Sequence, residues 1–274
     1  MSLFTINQKK CHRDGLCVAE CPAKLIEIIG EEGFPAPIAE AEELCINCGH
    51  CVSICPHGAL SLKTMAPGEC LPVRKELFLG PEHCEHFLRS RRSIRNYKEK
   101  RVPHDILTRL IEIARYAPTG HNLQPVHWLV IEESKEVHRL AQLVADWMRG
   151  QVNQGAEVAI ALHMDRVVDA WDKGMDRILR SAPHLIVAHG LKTLAPIQGA
   201  CTIALTYLDL AAASFGLGTC WAGYFTAAAN FYPPLLSTLA LPQDHLPYGA
   251  MMIGYPKYAY QRMPLRNAPD ITWR

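Results

Sequence analysis

Hydrophobic residues follow one pattern in the first part of this chain and another from about residue 86 onward. In the first part the apolar stretches are short, and residues 25–29 and 59–62 predict small strands. Farther on, apolar residues recur at helical spacing over 106–114 and 137–147, and each segment predicts an amphipathic helix. The change of pattern therefore predicts two domains of different size.

The larger domain mixes helices with strands. Residues 197–215 are rich in alanine and mostly apolar, which predicts a long helix that is buried on much of its surface. Four apolar segments of strand length accompany the helical segments, at 126–131, 185–188, 220–222 and 248–254. This part of the chain is therefore predicted to be an α+β domain of ordinary size.

Composition narrows the choice of partners and compartment. The 274 residues include 28 basic and 27 acidic side chains, so the net charge gives no reason to expect a nucleic-acid or membrane partner. The first ten residues lack a cationic start followed by an apolar run, as a secretory signal would need. The most apolar region, 201–213, is too short and too polar to span a bilayer. We expect a cytoplasmic protein.

Cysteine is concentrated near the N-terminus, where seven of the eleven residues lie between Cys11 and Cys55. Residues 45–56 read C-x2-C-x2-C-x3-C-P, which is the spacing of bacterial iron–sulfur proteins. A structural zinc site is the competing interpretation, but such sites favour two separated C-x2-C pairs. The run therefore predicts iron–sulfur ligands, whereas Cys70 and Cys84 lie outside any metal spacing.

A second copy of this run precedes it by 34 residues, from Cys11 to Pro22. Cysteine, glycine and proline positions recur at that constant offset, which indicates a duplicated unit. One position differs, because Asp14 stands where the offset from Cys48 would place a cysteine.

The duplicated half resembles the two-cluster bacterial ferredoxins over residues 1–65, and residues 66–85 are expected to be a linker. The resemblance implies two [4Fe-4S] clusters with crossed ligation, one held by Cys21, Cys45, Cys48 and Cys51, and the other by Cys11, Cys17, Cys55 and the residue at position 14.

Asp14 leaves several outcomes open at the second cluster, because a carboxylate is a hard ligand at a site that prefers thiolate. Asp14 ligates iron directly, or that iron is labile, or the cluster is a [3Fe-4S] form. The alternative is that Asp14 only caps the loop before Gly15.

Three further stretches carry candidate chemistry. Residues 89–97 hold four arginines and serine hydroxyls that suit a phosphate, although a basic run is also typical of a solvated surface. Residues 117–125 form a Pro- and Gly-containing loop that could approach a flat ligand, or simply join a helix to a strand. Residues 255–266 add cations near the C-terminus.

In this order the three stretches resemble the FMN-dependent nitroreductase family, over about residues 86–266 of a domain expected to span 86–274. The resemblance implies a homodimer with two FMN sites at the subunit interface. Residues matching the phosphate and ribityl contacts are Arg91, Arg92, Ser93, Arg95 and Arg262, with Arg266 a second choice for the last. Residues matching the loop against the isoalloxazine ring are Pro118, Thr119, Gly120 and Asn122.

Two ring contacts of the family are less defined in this chain. The segment 218–223 matches the family's ring-facing stretch, so Cys220 would lie near the flavin or pack as a small buried hydrophobe. The family's middle ring-contacting residue has no clear counterpart between 150 and 180.

The combined resemblance implies an oxidoreductase in which the clusters relay single electrons to FMN. The reduced enzyme would transfer electron pairs to a small organic acceptor, such as a nitroaromatic compound or a quinone. NAD(P)H or a ferredoxin would be the donor, and no side chain is identified as a catalytic proton donor. The alternatives are a redox carrier or sensor without a substrate, and a specialised reductase such as a dehalogenase.

Overall fold

The computed structural model describes residues 3–30 and 32–274. The chain divides into two compact units. The N-terminal unit comprises Met1–Leu79 together with Gly120–Leu123, and the C-terminal unit comprises Gly80–Thr119 together with Gln124–Arg274.

The N-terminal unit consists of short elements arranged as a duplication. In chain order they are β1 (Phe4–Ile6), α1 (Leu16–Glu20), β2 (Ile26–Ile28), β3 (Pro35–Pro37), α2 (Ala41–Leu44), α3 (His50–Ile54) and β4 (Leu60–Leu62). Helices α1 and α3, and likewise strands β2 and β4, are separated by the same 34 residues as the cysteine runs. Strand β1 pairs antiparallel with β4, and β2 pairs with β3.

Gly15 and Gly49 precede the two matching helices in the left-handed conformation, with φ of 72° and 75°. A side chain at this φ is strained, so glycine allows each cysteine loop to turn directly into its helix. The small core beneath the helices contains Phe4, Cys17, Ile26, Val52, Leu60 and Leu62. The predicted small strands at 25–29 and 59–62 correspond to β2 and β4.

The C-terminal unit is built on one antiparallel sheet with strand order β5-β6-β8-β7. Its strands are β5 (His127–Ile131), β6 (His184–Leu191), β7 (Gly218–Trp221) and β8 (His245–Gly254). Its helices are α4 (Pro81–Ser90), α5 (His104–Ala114), α6 (Ser134–Asn153), α7 (Glu157–Ala161), α8 (Met164–Asp172), α9 (Ile197–Ser214), α10 (Gly223–Phe231) and α11 (Pro233–Thr238).

Both faces of this sheet are buried, and the alternation along β6 assigns residues to each face. Leu185 and Val187 join a core with helices α6, α8, α10 and α11. Ile186 and Ala188 join a second core with α5 and α9. A strand buried on both faces reads as a continuous apolar run, which explains why the hydrophobic pattern predicted these strands well.

Residues 66–85 were expected to be a linker, and the last of them begin a helix. Helix α4 begins at Pro81 and includes Cys84. Proline at the first helical position and Glu82 in the first turn both favour a helix start. No helix in the described part of the chain is long and apolar enough to cross a membrane.

Three histidines on neighbouring strands meet at one end of the sheet. His127 and His189 are direct partners in the β5–β6 ladder, and the two Nδ1 atoms of His189 and His245 are 3.0 Å apart. Burial, together with the positive charges that His245 and His127 can carry, lowers the pKa of His189 to about 4. His189 therefore resists protonation in the folded protein.

We expect the free energy of unfolding to fall as the pH drops from about 6.5 towards 4. In this range His189 binds a proton in the unfolded chain but stays neutral in the folded protein. The loss attributable to this residue is up to about 3 kcal/mol. Urea titrations across this pH range should show that the free energy of unfolding depends less on pH in His189→Gln than in the wild-type protein. His83→Gln is the control because His83 is exposed, and an unchanged slope in His189→Gln would contradict the expectation.

Candidate functional site

Four cysteine side chains line one apolar cavity in the N-terminal unit. They are Cys21 from the first run and Cys45, Cys48 and Cys51 from the second. Burial, and to a smaller extent the charges of the neighbouring Cys48, Cys21 and Cys45, raise the pKa of Cys51 to about 11. The structure thus brings together the four residues that the ferredoxin resemblance groups around one cluster.

Backbone amides point at three of the cysteine sulfurs. The N–H of Leu25 donates to Cys21 Sγ at 3.4 Å, and that of Asn47 donates to Cys45 Sγ at 3.4 Å. The N–H of Ala59 donates to Cys55 Sγ at 3.3 Å. Hydrogen bonds to sulfur stabilise the charged thiolate and help set the potential of an iron–sulfur cluster.

Two of the remaining predicted ligands, Cys11 and Asp14, form a second group with Cys17. Burial raises the pKa of the Cys17 thiol, and the negative charges of Cys11 and Asp14 contribute to the rise. The rings of His12 and His57 stack with centroids 3.7 Å apart. Because these histidines closely follow Cys11 and Cys55, the stack ties together the two loops that would share the second cluster.

Asp14 has a partner of its own in the loop. Its Oδ1 accepts the N–H of Leu16 at 3.1 Å, the bond expected if Asp14 caps the loop at Gly15. The charge of the same carboxylate also contributes to the raised pKa of the Cys17 thiol. Both readings of Asp14, as a loop cap and as a ligand, therefore remain predictions.

No group of three or more histidine, cysteine, aspartate or glutamate side chains within residues 3–30 and 32–274 could hold a single metal ion. In an iron–sulfur cubane each protein thiolate binds a different iron, so the cysteine sulfurs stand apart around the cluster. The cysteine groups described above therefore fit an iron–sulfur cluster rather than a single metal ion.

In the C-terminal unit, the first part of the arginine-rich segment, residues 89–97, lines a cavity of about 560 Å³. Arg91 Nη1 lies 3.4 Å from Oδ2 of Asp209, a buried residue of α9. The other carboxylate oxygen of Asp209 accepts the hydroxyl of Thr219. Arg92 lies over the ring of Tyr260, 5.8 Å from its centroid. Asp209 thus orients one edge of Arg91, and further N–H groups of that guanidinium remain for a ligand.

A second cavity, of about 420 Å³, is also lined by the C-terminal unit. Like the first cavity, it borders the arginine-rich segment and strand β7. Arg95, Cys220 and Trp221 line it, whereas Arg91, Gly218 and Thr219 line the first cavity. The buried thiol of Cys220 donates to Trp221 O at 3.7 Å, and the Ser93 side chain acts to lower the pKa of that thiol. Segment 91–95 and strand β7 therefore run along both cavities.

Strand β7 approaches the arginine-rich segment closely. A Cβ at Gly218 would collide with the side chain of Ile94, and the N–H of Ile94 donates to Thr219 O at 2.8 Å. Burial raises the pKa of the Cys220 thiol, while the guanidiniums of Arg95 and Arg180 oppose the rise. Cys220 is thus both a buried residue and part of a cationic cavity wall.

The loop predicted to contact a flavin ring is divided between the units. Pro118 is exposed, and Thr119 Oγ1 accepts the N–H of Gln124 at 3.0 Å within the C-terminal unit. Gly120 and Asn122 belong to the N-terminal unit, where Asn122 Nδ2 donates to the carbonyls of Ile46 at 3.3 Å and Asn47 at 2.9 Å.

The two arginines predicted to bind phosphate from the C-terminal stretch line neither cavity. Arg262 and Arg266 are exposed, and residues 257–274 contain no helix or strand. Their role as phosphate ligands therefore remains a prediction from the resemblance.

Sequence reasoning missed three side chains at these cavities. Asp209 lies in an apolar helix and carried no motif, although a lone carboxylate among alanines and leucines is a signal of a buried partner. Arg177 and Arg180 line the second cavity from a segment in which no ring-contacting residue could be assigned. Their convergence on Arg95 depends on folding, because 82 residues separate Arg95 from Arg177 in the chain.

Comparisons with known proteins agree with this architecture. Residues 88–255 match the model of the Nitroreductase family, and residues 9–60 match that of the 4Fe-4S dicluster domain. An FMN-bound nitroreductase from Bacteroides fragilis has a TM-score of 0.56 at 22% identity, covering 69% of this chain and 96% of that one. This likeness supports the fold.

Two curated relatives are similar in sequence. An NADH dehydrogenase of Thermus thermophilus is 27% identical over 199 residues, which cover 67% of this chain and 92% of the relative. An iodotyrosine deiodinase of Thermotoga neapolitana is 24% identical over 139 residues, which cover 48% and 68%.

The predicted α+β class and the predicted order of the two parts are confirmed. The expectation of an oxidoreductase is confirmed by the family match as well. This chain belongs to the nitroreductase family and carries a 4Fe-4S dicluster domain before the family's own domain.

Proposed function

We propose that this protein is an FMN- and iron–sulfur-dependent oxidoreductase that relays single electrons through its clusters to FMN and reduces a small organic acceptor, such as a nitroaromatic compound or a quinone. Bound FMN exchanges electrons singly or in pairs, whereas each cluster exchanges one at a time, so together they connect a one-electron donor with a two-electron acceptor.

The observation that carries the proposal is the row of cations beside strand β7. Arg91 and Arg92 line the first cavity, and Arg95 lines the second. Guanidinium groups bind phosphate through paired, charge-assisted hydrogen bonds, so Arg91 and Arg92 suit the FMN phosphate. Ser93 and Arg95 follow towards the second cavity, whose wall includes Cys220 and suits a flat ring. The residues therefore fit FMN.

The N-terminal residues fit the clusters in the same sense. Soft thiolates suit iron–sulfur chemistry, and here they surround an apolar cavity with amide donors directed at the sulfurs. A unit with so small a core also gains stability from bound clusters. A reduced ferredoxin or NAD(P)H is the proposed donor.

We propose in addition that the protein is a homodimer. The C-terminal unit exposes large apolar side chains, among them Ile160 on α7 at 69% exposure and Ile203 on α9 at 40%. Exposed apolar patches mark protein interfaces, so these side chains are candidates for the subunit contact. Light scattering on the anaerobically purified protein should give twice the mass of one chain, and a monomer would contradict this part of the proposal.

A second candidate reaction is reductive dehalogenation. The similarity to an iodotyrosine deiodinase favours it, since one fold can serve several related reductions. A halogenated phenol therefore belongs among the acceptors to be tested beside nitroaromatic compounds and quinones.

The test is to purify the protein without oxygen, record its absorbance, and reduce it with dithionite, NADH, NADPH or reduced ferredoxin. We expect flavin and iron–sulfur bands that bleach on reduction, and reoxidation when an acceptor is added. A protein without a flavin band would contradict the proposal. Bleaching without reoxidation by any small acceptor would instead favour a redox carrier or sensor.

A further inference from the structure

Three guanidinium groups surround the second cavity of the C-terminal unit. Arg95, Arg177 and Arg180 line it together with the aromatic side chains of Trp221 and Tyr224. Among the described residues, no carboxylate lines this cavity. None of the three arginines forms an ion pair within the ranges 3–30 and 32–274, in contrast to Arg91, which faces Asp209. The cavity therefore has an excess of positive charge that the described chain leaves unpaired.

The turn that carries two of these arginines is held in a fixed and strained conformation. Arg180 and Ser181 have φ of 60° and 50°, in the left-handed region that ordinary residues avoid. Asp176 holds the turn, because its carboxylate accepts the N–H groups of Ile178, Leu179 and Ser181, each at 2.8 Å. Strain that the surrounding structure maintains in this way is found mainly at functional sites.

The FMN phosphate does not account for this turn. The first cavity already offers Arg91 and Arg92 together with Lys98 and Lys257, and neither Arg177 nor Arg180 lines it. Arg177 and Arg180 instead share their cavity with Cys220 and Trp221, where the proposed function places the ring and hence the acceptor. The positive charge of Arg177 and Arg180 therefore suits a second anion, distinct from the phosphate of the cofactor.

Resting on the proposed function, we propose that Arg177 and Arg180 bind an oxyanion on the organic acceptor, so that the enzyme selects flat aromatic acceptors carrying a carboxylate over neutral ones. The guanidinium fork pairs with a carboxylate through two parallel hydrogen bonds. The apolar faces of Trp221 and Tyr224 suit the aromatic part of the same molecule. Arg177 and Arg180 are then specificity-determining residues, and Asp176 is a positioning residue.

The experiment compares matched ligands on the FMN-loaded protein. Benzoate and benzamide differ mainly in charge, and their dissociation constants can be measured by calorimetry and by the change in flavin absorbance, without turnover. We expect wild-type protein to bind benzoate about tenfold or more tightly, as charge-assisted hydrogen bonds allow. The same preference should appear in the kcat/KM for 4-nitrobenzoate over 4-nitrobenzamide.

Variants test whether the turn that carries Arg177 and Arg180 causes the preference for benzoate over benzamide. Arg180→Gln and Arg177→Gln should each reduce it severalfold, and Arg180→Lys should retain part of it, because lysine keeps the charge without the planar fork. Asp176→Ala should reduce it although every cavity cation remains. Arg166→Gln is the control, because Arg166 is an exposed residue of α8 outside the cavity, and the preference should be unchanged there.

Two results would overturn this inference while leaving the proposed function intact. One is equal binding of benzoate and benzamide by wild-type protein that retains FMN and reduces acceptors. The other is loss of FMN from Arg180→Gln, which would make Arg180 a cofactor ligand. Failure of wild-type protein to bind FMN would instead contradict the proposed function.

Discussion

Replacing Cys48 by alanine is expected to remove one iron–sulfur cluster and about half of the bound iron, since metal affinity and folding are coupled at such sites. Cys48 lines the cavity that also holds Cys21, Cys45 and Cys51, so its loss leaves one iron of that cluster without a protein thiolate. An iron with an open position is readily lost. The second group, around Cys17, should keep its cluster because Cys48 does not contribute to it.

Iron and sulfide analysis, together with the absorbance and EPR spectra of anaerobic protein, measures this result. Cys48→Ser preserves the size of the side chain and separates loss of the ligand from loss of packing. Cys84→Ala is the matched control, because Cys84 lies on helix α4 in the C-terminal unit. Wild-type iron content in Cys48→Ala would show that the cavity does not hold a cluster.

The N-terminal unit should also become less stable in Cys48→Ala. The hydrophobic cluster described in this unit has six buried members, so cluster binding contributes a large share of the unit's folding free energy. We expect earlier urea unfolding of this unit, and little change in the C-terminal unit with its own two cores. Protease sensitivity confined to the first part of the chain would report the same difference.

Replacing Arg91 by alanine is expected to weaken FMN binding by about 10- to 100-fold, the loss of one or two charge-assisted hydrogen bonds to phosphate. The same change leaves the buried carboxylate of Asp209 with only the hydroxyl of Thr219 as a described partner. We therefore expect a second effect, a lower free energy of unfolding, by about 1–3 kcal/mol.

A double variant separates these two effects. Adding Asp209→Asn to Arg91→Ala removes the unpaired charge but keeps an acceptor for Thr219, so stability should recover while FMN affinity stays low. Arg89→Ala is the control. Arg89 belongs to the same arginine-rich segment as Arg91, but it is exposed and paired with Glu85. Fluorescence titration of flavin-free protein measures the affinity. Unaltered FMN affinity in Arg91→Ala would refute the phosphate assignment.

Much of the N-terminal unit follows from the sequence alone. Ligand spacing there is local, because short loops deliver Cys45, Cys48 and Cys51, and the 34-residue offset identifies the second copy. The offset also relates helix α1 to α3 and strand β2 to β4 in the structure. Local patterns are predictable because they do not depend on distant contacts.

Other features show where local patterns fail. Helix α4 was missed because Pro81 signals a turn as readily as a helix start. Helices α7, α8, α10 and α11 were not predicted either, and all four have nine residues or fewer with caps that lack side-chain hydrogen bonds. Such short helices are stabilised mainly by tertiary packing, which a local pattern does not report.

The sequence by itself determined the family resemblance, the two-part organisation, the cysteine groups and the arginine-rich segment. Only the tertiary structure decided that Asp209 faces Arg91, and that Arg177 and Arg180 meet Arg95 in one cavity. The physical reason is that a motif records neighbours along the chain, whereas a charged cavity is assembled from elements that packing brings together. The strained turn at Arg180 belongs to the second class, since Asp176 and the fold around it maintain a backbone conformation that arginine does not itself favour.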